Sequence, residues 1–249
     1  MYTNHFKSEN HMQKVLHRAD SRGHVSHGWL DTYHSFSFAS WHNPERVRFG
    51  VLRVLNDDTV APDQGFGMHP HDNMEIITII LNGQLKHRDS MGSDGVIKEN
   101  EIQVMSAGKG VMHSEFNPSQ DEKVELFQIW IFPREKNIEP RYDQMSFDPA
   151  GKENKLQMLV TSDKDSKDAM WINQDAYLSM GKFDAGKEID YDIRTKGNGA
   201  YIMVVEGKVN VEGDDLSRRD AIGIYDTDKI NIKVLEPDTE ILIIEVPMN

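Results

Sequence analysis

The chain contains no cysteine. Disulfides, cysteine-ligated zinc ribbons and thiolate catalysis are therefore excluded, and any bound metal must be held by nitrogen and oxygen. No apolar run approaches the length that crosses a bilayer, and Asn4, Lys7, Glu9, Asn10 and Gln13 leave no signal-peptide hydrophobic region among the first twenty residues. A cytoplasmic protein with no membrane association is expected. Basic runs are missing as well: none exceeds Arg218-Arg219, while the formal net charge is −13. A surface of that sign repels phosphates, so direct nucleic-acid binding is not expected. Helical periodicity is scarce, with a turn or two at Asp175–Leu178 as the most it offers. Histidine is absent from every position after 113, although the chain holds eleven.

What is present is a series of short apolar runs divided by glycine and asparagine turns. With 249 residues, 38% of them hydrophobic, the chain can bury one large core or two smaller ones. Strands are expected over Phe49–Leu55, Glu75–Leu81, Gln84–Arg88, Ile102–Met105, Val124–Phe132, Leu156–Thr161, Tyr177–Phe183, Ala200–Val205, Lys208–Val211, Ala221–Tyr225, Ile230–Leu235 and Ile241–Val246. Leu81-Asn82-Gly83-Gln84 and Glu206-Gly207-Lys208 read as tight hairpin turns. This pattern predicts an all-β sandwich or barrel.

Three histidines fall into two short strings, His69-Pro70-His71 and Met112-His113-Ser114-Glu115. On a strand, a His-x-His pair projects both rings from one face at a Cα spacing of about 6.6 Å, because side chains alternate. His113 and Glu115 repeat that geometry. Two such pairs facing one another supply three nitrogens and one carboxylate oxygen, a set suited to first-row transition metals that leaves positions open for chemistry. His24, His27, His34 and His42 share no spacing that would converge them and read as loop or core residues; His87, on the strand after a turn, could line the cavity.

A weak internal repeat lays Ile79–His87 on Met203–Val211, and Glu101–Met105 on Asp220–Ile224. The same offset carries His69 and His71 onto Ile193 and Thr195, so the second half reads as the same fold without a metal. The polar stretch Asp143–Lys155, centred on Pro149-Ala150-Gly151-Lys152, is the expected linker between a metal-binding domain at 1–142 and a degenerate domain at 143–249.

These residues carry a resemblance. Gly67–Glu75 followed by Gly83 resembles the first cupin motif, and Ala107–Asn117 the second. The His-Pro-His and His-Ser-Glu versions, with His27-Gly28-Trp29-Leu30-Asp31 upstream and Gln128-Ile129-Trp130-Ile131 downstream, are similar to pirin, especially its bacterial quercetin 2,3-dioxygenase-like members. The resemblance implies a bicupin, two packed antiparallel β-barrels of jelly-roll type. It implies one divalent metal, iron(II) ahead of manganese, nickel, cobalt, copper or zinc, on His69, His71, His113 and Glu115. Glu75 occupies the position that supplies the carboxylate ligand in many other cupins, so either Glu115 ligates and Glu75 supports the site, or the reverse. The implied activity is the opening of a flavonol such as quercetin by dioxygen with release of carbon monoxide, with Glu115 or Glu75 as base. Phe49, Val51, Phe66, Met68, Ile77 and Met112 are the candidate walls for a flat aromatic substrate. The alternative is a metal-binding, redox-responsive interaction or regulatory protein without turnover. A monomer is expected, since closed barrels expose few edges.

Overall fold

Strict alternation in segments such as Lys229–Val234, exposed and buried by turns, makes sheets with one packed face. The computed structural model describes residues 12–249, so Asn4, Lys7, Glu9 and Asn10 of the polar N-terminal segment lie outside the described residues. Within them, two seven-stranded and two four-stranded sheets account for almost all regular structure, with two short 3-10 turns at Ala19–Ser21 and Pro149–Lys152.

The large sheet of the first half runs, in spatial order, β12 (Arg141–Ser146), β9 (Glu101–Ser106), β6 (Glu75–Asn82), β11 (Val124–Ile131), β4 (Leu52–Val60), β3 (Leu30–His34) and β2 (Gly23–Ser26). Its smaller partner runs β5 (Gly65–His71), β10 (Val111–Phe116), β7 (Gln84–Asp89) and β8 (Asp94–Lys98). The second half repeats this plan. Its large sheet is β1 (Gln13–His17), β20 (Ala221–Tyr225), β17 (Asn198–Glu206), β22 (Thr239–Pro247), β15 (Tyr177–Phe183), β13 (Gln157–Thr161) and β14 (Met170–Trp171). Its small sheet is β16 (Glu188–Asp192), β21 (Lys229–Val234), β18 (Lys208–Val211) and β19 (Asp214–Ser217).

Among the described residues no strand pairing joins a large sheet to a small one, so each half is an open two-layer sandwich rather than the closed barrel expected. The expected hairpins at Asn82-Gly83 and Glu206-Gly207 are corners instead, because β6 and β7, like β17 and β18, belong to different sheets. Both glycines do have φ of +82°, as a tight turn requires, and a Cβ on Gly207 would sit 2.2 Å from Oγ1 of Thr239. Local turn chemistry fixes the reversal but not the partner of the strand that follows. A true two-residue hairpin, Glu212-Gly213 with φ of 49° and 92°, joins β18 to β19.

The two large sheets pack back to back through an apolar layer that includes Phe49, Leu55, Ile77, Phe127 and Ile129 from the first half and Leu178, Tyr201, Met203, Leu242 and Ile244 from the second. The first half also lends an edge strand to the second, β1 pairing with β20, while β12, which follows β11 in the chain, pairs with β9. The division expected after residue 142 runs through β12, whose residues 141–146 all pair with β9.

The two sandwich interiors differ. The second holds one continuous apolar cluster, with Ile202, Val209, Ile222, Ile230, Ile232 and Ile243 fully buried. The first holds two separate ones, Leu30, Val60, Ile80 and Leu85 at one end and Ile76, Met105, Ala107 and Val111 at the other. Polar side chains occupy the gap.

Candidate metal centre and its cavity

Cross-strand register builds that gap. His34 on β3 faces Asn56 on β4, Asn56 faces Gln128 on β11, Gln128 faces Thr78 on β6, and Thr78 faces Gln103 on β9. The row is a polar stripe across the inner face of the large sheet, and His34, Asn56, Thr78 and Gln103 are buried. Buried polar atoms are costly unless bonded to one another or to a ligand. Here they converge on one carboxylate: Glu115 accepts from Gln103 Nε2 at 2.9 Å, Gln128 Nε2 at 2.7 Å and the Thr78 hydroxyl at 3.5 Å. Trp130 Nε1 donates to Oε1 of Gln128 at 3.2 Å and holds that amide's orientation.

The small sheet supplies the histidines. On β10 the residues Val111, His113 and Glu115 face inward and Met112 and Phe116 outward. His113 is paired with His69 on β5, and His71 with Val111. Ring centroids of His69, His71 and His113 lie 4.4–4.8 Å apart, and one nitrogen from each lies within 4.8 Å of the others, close enough to share one ion. Gly67 accepts a 2.7 Å bond from His69 Nδ1, which fixes the tautomer and frees Nε2 for a metal. His113 is buried with neither ring nitrogen bonded. Burial is the main cause holding His113 down to about 3 and His71 to about 4, with the neighbouring imidazoles adding to it. The rings of His71 and His113 are thus neutral lone-pair donors at ordinary pH. An orphaned, neutral, buried imidazole between two others is the arrangement that a divalent transition metal satisfies.

Glu115 stands beside His113 on the far side, grouped with His113 and His87 within 4.8 Å rather than with the three histidines together. His87 pairs directly with Glu115 across β7 and β10; its Nε2 bonds Asp89 at 2.9 Å, its ring stacks on Tyr142 and its Nδ1 has no partner. Glu75 is not brought to the cluster. It lies on the opposite face of β6 from Thr78, where Oε2 accepts from the Ser106 hydroxyl at 2.7 Å and from Asn173 N of the second half at 3.2 Å. β5 ends at His71 and the chain enters the other sheet at Glu75, which carries this carboxylate away from the histidines. Glu75 is in neither group of side chains close enough to share an ion.

A cavity of 330 Å³ opens beside His69, His71 and Glu115, walled by Trp29, Phe38, Phe66 and Trp130. Of the walls expected from sequence, Phe66 alone is there. Phe49, Val51 and Ile77 lie in the layer between the halves, and Met68 and Met112 are exposed. His27 and His34, read as loop or core residues, both line the cavity, as do Thr32, Asn56 and Asp58. The signal that could have revealed the polar stripe is a lone polar residue inside an apolar strand: Thr78 in EIITIILN, Gln103 in EIQVMS, Gln128 in VELFQIWI.

Register places Tyr191 and Ile230 of the second half where His69 and His113 stand in the first, with Ile232 for Glu115. The earlier offset, which set His69 on Ile193, is two residues out because the second half has two more residues between Tyr191 and Val211 than the first has between His69 and His87. The metal-type cluster found among the described residues therefore lies in the first sandwich only.

Two antiparallel sandwiches of one plan, with a histidine cluster on the inner face of the first, define a bicupin. The pirin family model matches residues 15–131, and the model of the quercetinase C-terminal cupin domain matches residues 159–246. The quercetin 2,3-dioxygenase of Escherichia coli (strain K12) is 40% identical over 233 residues, spanning 93% of this chain and 98% of that protein. The pirin-like protein of Caulobacter vibrioides is 38% identical over 226 residues, spanning 91% and 96%. A crystal structure of the bacterial pirin YhhW from Escherichia coli in complex with nickel(II) matches with a TM-score of 0.89 at 38% identity, covering 95% of this chain and 100% of that one. The chain belongs to the pirin family, and it is an enzyme similar to quercetin 2,3-dioxygenase.

Proposed function

We propose that the protein is a metal-dependent dioxygenase that opens the ring of flavonols such as quercetin with dioxygen. The observation that carries the reading is the orphaned His113 beside His69 and His71, which stand in the wall of an aromatic-lined cavity. In this reading His69, His71 and His113 hold one divalent metal, iron(II) first among the candidates, and Glu115 is the fourth ligand. The ion supplies Lewis acidity toward the flavonol 3-hydroxyl oxygen and redox access to dioxygen. Glu115 takes the proton of that hydroxyl; the amides of Gln103 and Gln128 keep its carboxylate aimed while its remaining lone pairs stay free. Trp29, Phe38, Phe66 and Trp130 stack or edge against the flat ring system and exclude water.

The test is anaerobic purification, elemental analysis and an oxygen-electrode assay with quercetin and with a flavone that lacks the 3-hydroxyl. Oxygen uptake with quercetin alone is expected. Near-equal rates with both compounds overturn the role given to the hydroxyl. No uptake with iron, manganese, nickel, cobalt or copper loaded in turn overturns the enzymatic reading in favour of a metal-dependent interaction protein.

A further inference from the structure

Asp58 is a carboxylate that the chemistry above leaves unused. It sits on the inner face of β4, 3% exposed, in the wall of the aromatic cavity. The Thr32 hydroxyl donates to its Oδ1. Among the described residues no cation is bonded to it: Arg22 and Arg219 both bond Asp57, which alternation turns to the opposite face. Around it stand Thr32 and His34 on β3, Asn56 on its own strand, Leu126 and Gln128 on β11, and Glu115, His69 and His71 across the cavity. Burial pushes the Asp58 carboxyl up to about 7, opposed by the Thr32 bond and reinforced by the negative charges of Asp57 and Glu115. It is therefore present in both protonation states near neutrality, able to give or accept a hydrogen bond.

The fold does not ask for an acid here. Asp58 pairs with Leu126, which pairs with Ile80; the matching chain of partners in the second half is Gly181, Ile241 and Val204. The counterpart of Asp58 is thus a glycine in an interior filled by apolar side chains. A buried carboxyl in a cavity wall, bonded to one hydroxyl and to no cation, that one half keeps and the other omits points to a ligand that hydrogen-bonds it.

We propose that Asp58 selects the ligand by hydrogen-bonding a second hydroxyl of a polyhydroxylated aromatic, set apart from the hydroxyl that meets the histidines. Asp58 lines the same cavity as His69, His71 and Glu115 and lies two residues along β4 from Asn56, the partner of the Gln128 that holds Glu115. The preferred ligand is therefore a polyphenol that presents one hydroxyl to the histidines and another to Asp58. Monohydroxylated aromatics fit the walls but leave Asp58 unsatisfied. This proposal rests on the flavonol reading and refines it.

The experiment is an anaerobic titration of the metal-loaded protein with quercetin and with 3-hydroxyflavone, which keeps only the metal-facing hydroxyl, followed by quenching of tryptophan fluorescence. The unaltered protein is expected to prefer quercetin. Asp58→Leu should weaken quercetin by about tenfold, the worth of one hydrogen bond to a charged group, while 3-hydroxyflavone and the metal content stay unchanged. Asp58→Asn, which keeps the shape and a hydrogen-bonding amide, should bind both compounds yet lose the pH dependence of quercetin affinity around neutrality. Equal weakening of both compounds in Asp58→Leu, or an unaltered pH dependence in Asp58→Asn, overturns the proposal. Equal affinity of the unaltered protein for both compounds, with oxygen uptake intact, overturns it and leaves the dioxygenase reading standing. Absence of any flavonol binding overturns both.

Discussion

Asp57 of the first half accepts a 2.9 Å hydrogen bond from Nε of Arg219 in the second, across the junction between the two large sheets. Arg22 donates to the same carboxylate oxygen at 2.9 Å. Arg219 is 4% exposed, lies over the Phe127 ring and donates a further bond to the Val205 carbonyl. Replacing Asp57 with Ala leaves two shielded guanidinium groups without an anion, and breaking a buried pair from one side costs about 3–5 kcal/mol. Urea unfolding of Asp57→Ala should show that loss. A decrease below about 1 kcal/mol, the range of exposed pairs, rules out a stabilising role at the junction.

The metal content should approach one equivalent per chain. Tyr191, Ile230 and Ile232 fill the second sandwich where His69, His113 and Glu115 stand in the first. Elemental analysis of the purified protein, and of His69→Ala, checks this; a second tight equivalent that survives His69→Ala is the contrary result.

Glu115→Gln and Glu75→Gln should part company. Removing the charge of Glu115 beside His113 is expected to weaken metal retention by about 10–100-fold or more. Glu75 faces Ser106 and Asn173 instead, so Glu75→Gln should keep its metal. Chelator competition read by metal content gives the answer, and metal loss confined to Glu75→Gln reverses the assignment.

Acid should loosen the junction through His17. This residue of β1 is 7% exposed, bonds the Tyr201 hydroxyl through Nδ1 at 2.9 Å and is held down to about 4 by burial, with Arg46 adding to the effect. Unfolded, it binds a proton below about 6.5; folded, it resists until about 4. The unfolded state therefore carries the extra proton across that window, and stability falls as pH drops from 6.5 toward 4, by about 3 kcal/mol for this one group. Buried His34 and His113 and half-buried His71 act in the same direction. The informative quantity is the difference: His17→Asn should flatten the stability profile by one proton's worth of slope, and parallel profiles refute the linkage.

Much of the strand layout was legible because apolar runs such as Ile76–Leu81 and Ile241–Val246 admit little else. The histidine triad was legible too, since alternation on β5 puts His69 and His71 on one face whatever the tertiary context. Glu75 was misplaced because a passage between sheets leaves no mark in spacing. The strand over Leu52–Val60 was cut short at Leu55, since Asn56-Asp57-Asp58-Thr59 resembles a loop. Those residues belong to a strand because each face has a polar customer: the cavity takes Asn56 and Asp58, and the arginines take Asp57. Such compensation is three-dimensional, and β-propensity alone cannot report it. The same holds for β12, whose polar residues sit at a sheet edge where one side of the ladder is wet.

The loan of β1 to the second sandwich makes the two sandwiches inseparable as parts. Cutting the chain between β12 and β13 gives a first fragment whose β1 has lost β20, and a second whose β20 is a bare sheet edge. Bare edges invite pairing with whatever strand is near, so the severed pieces are built to reassemble with each other before anything else. A chimera that replaces the second sandwich must import the donor's matching edge strand from the far end of its sequence. Splitting this enzyme into complementing fragments is thus a more natural operation than trading its halves.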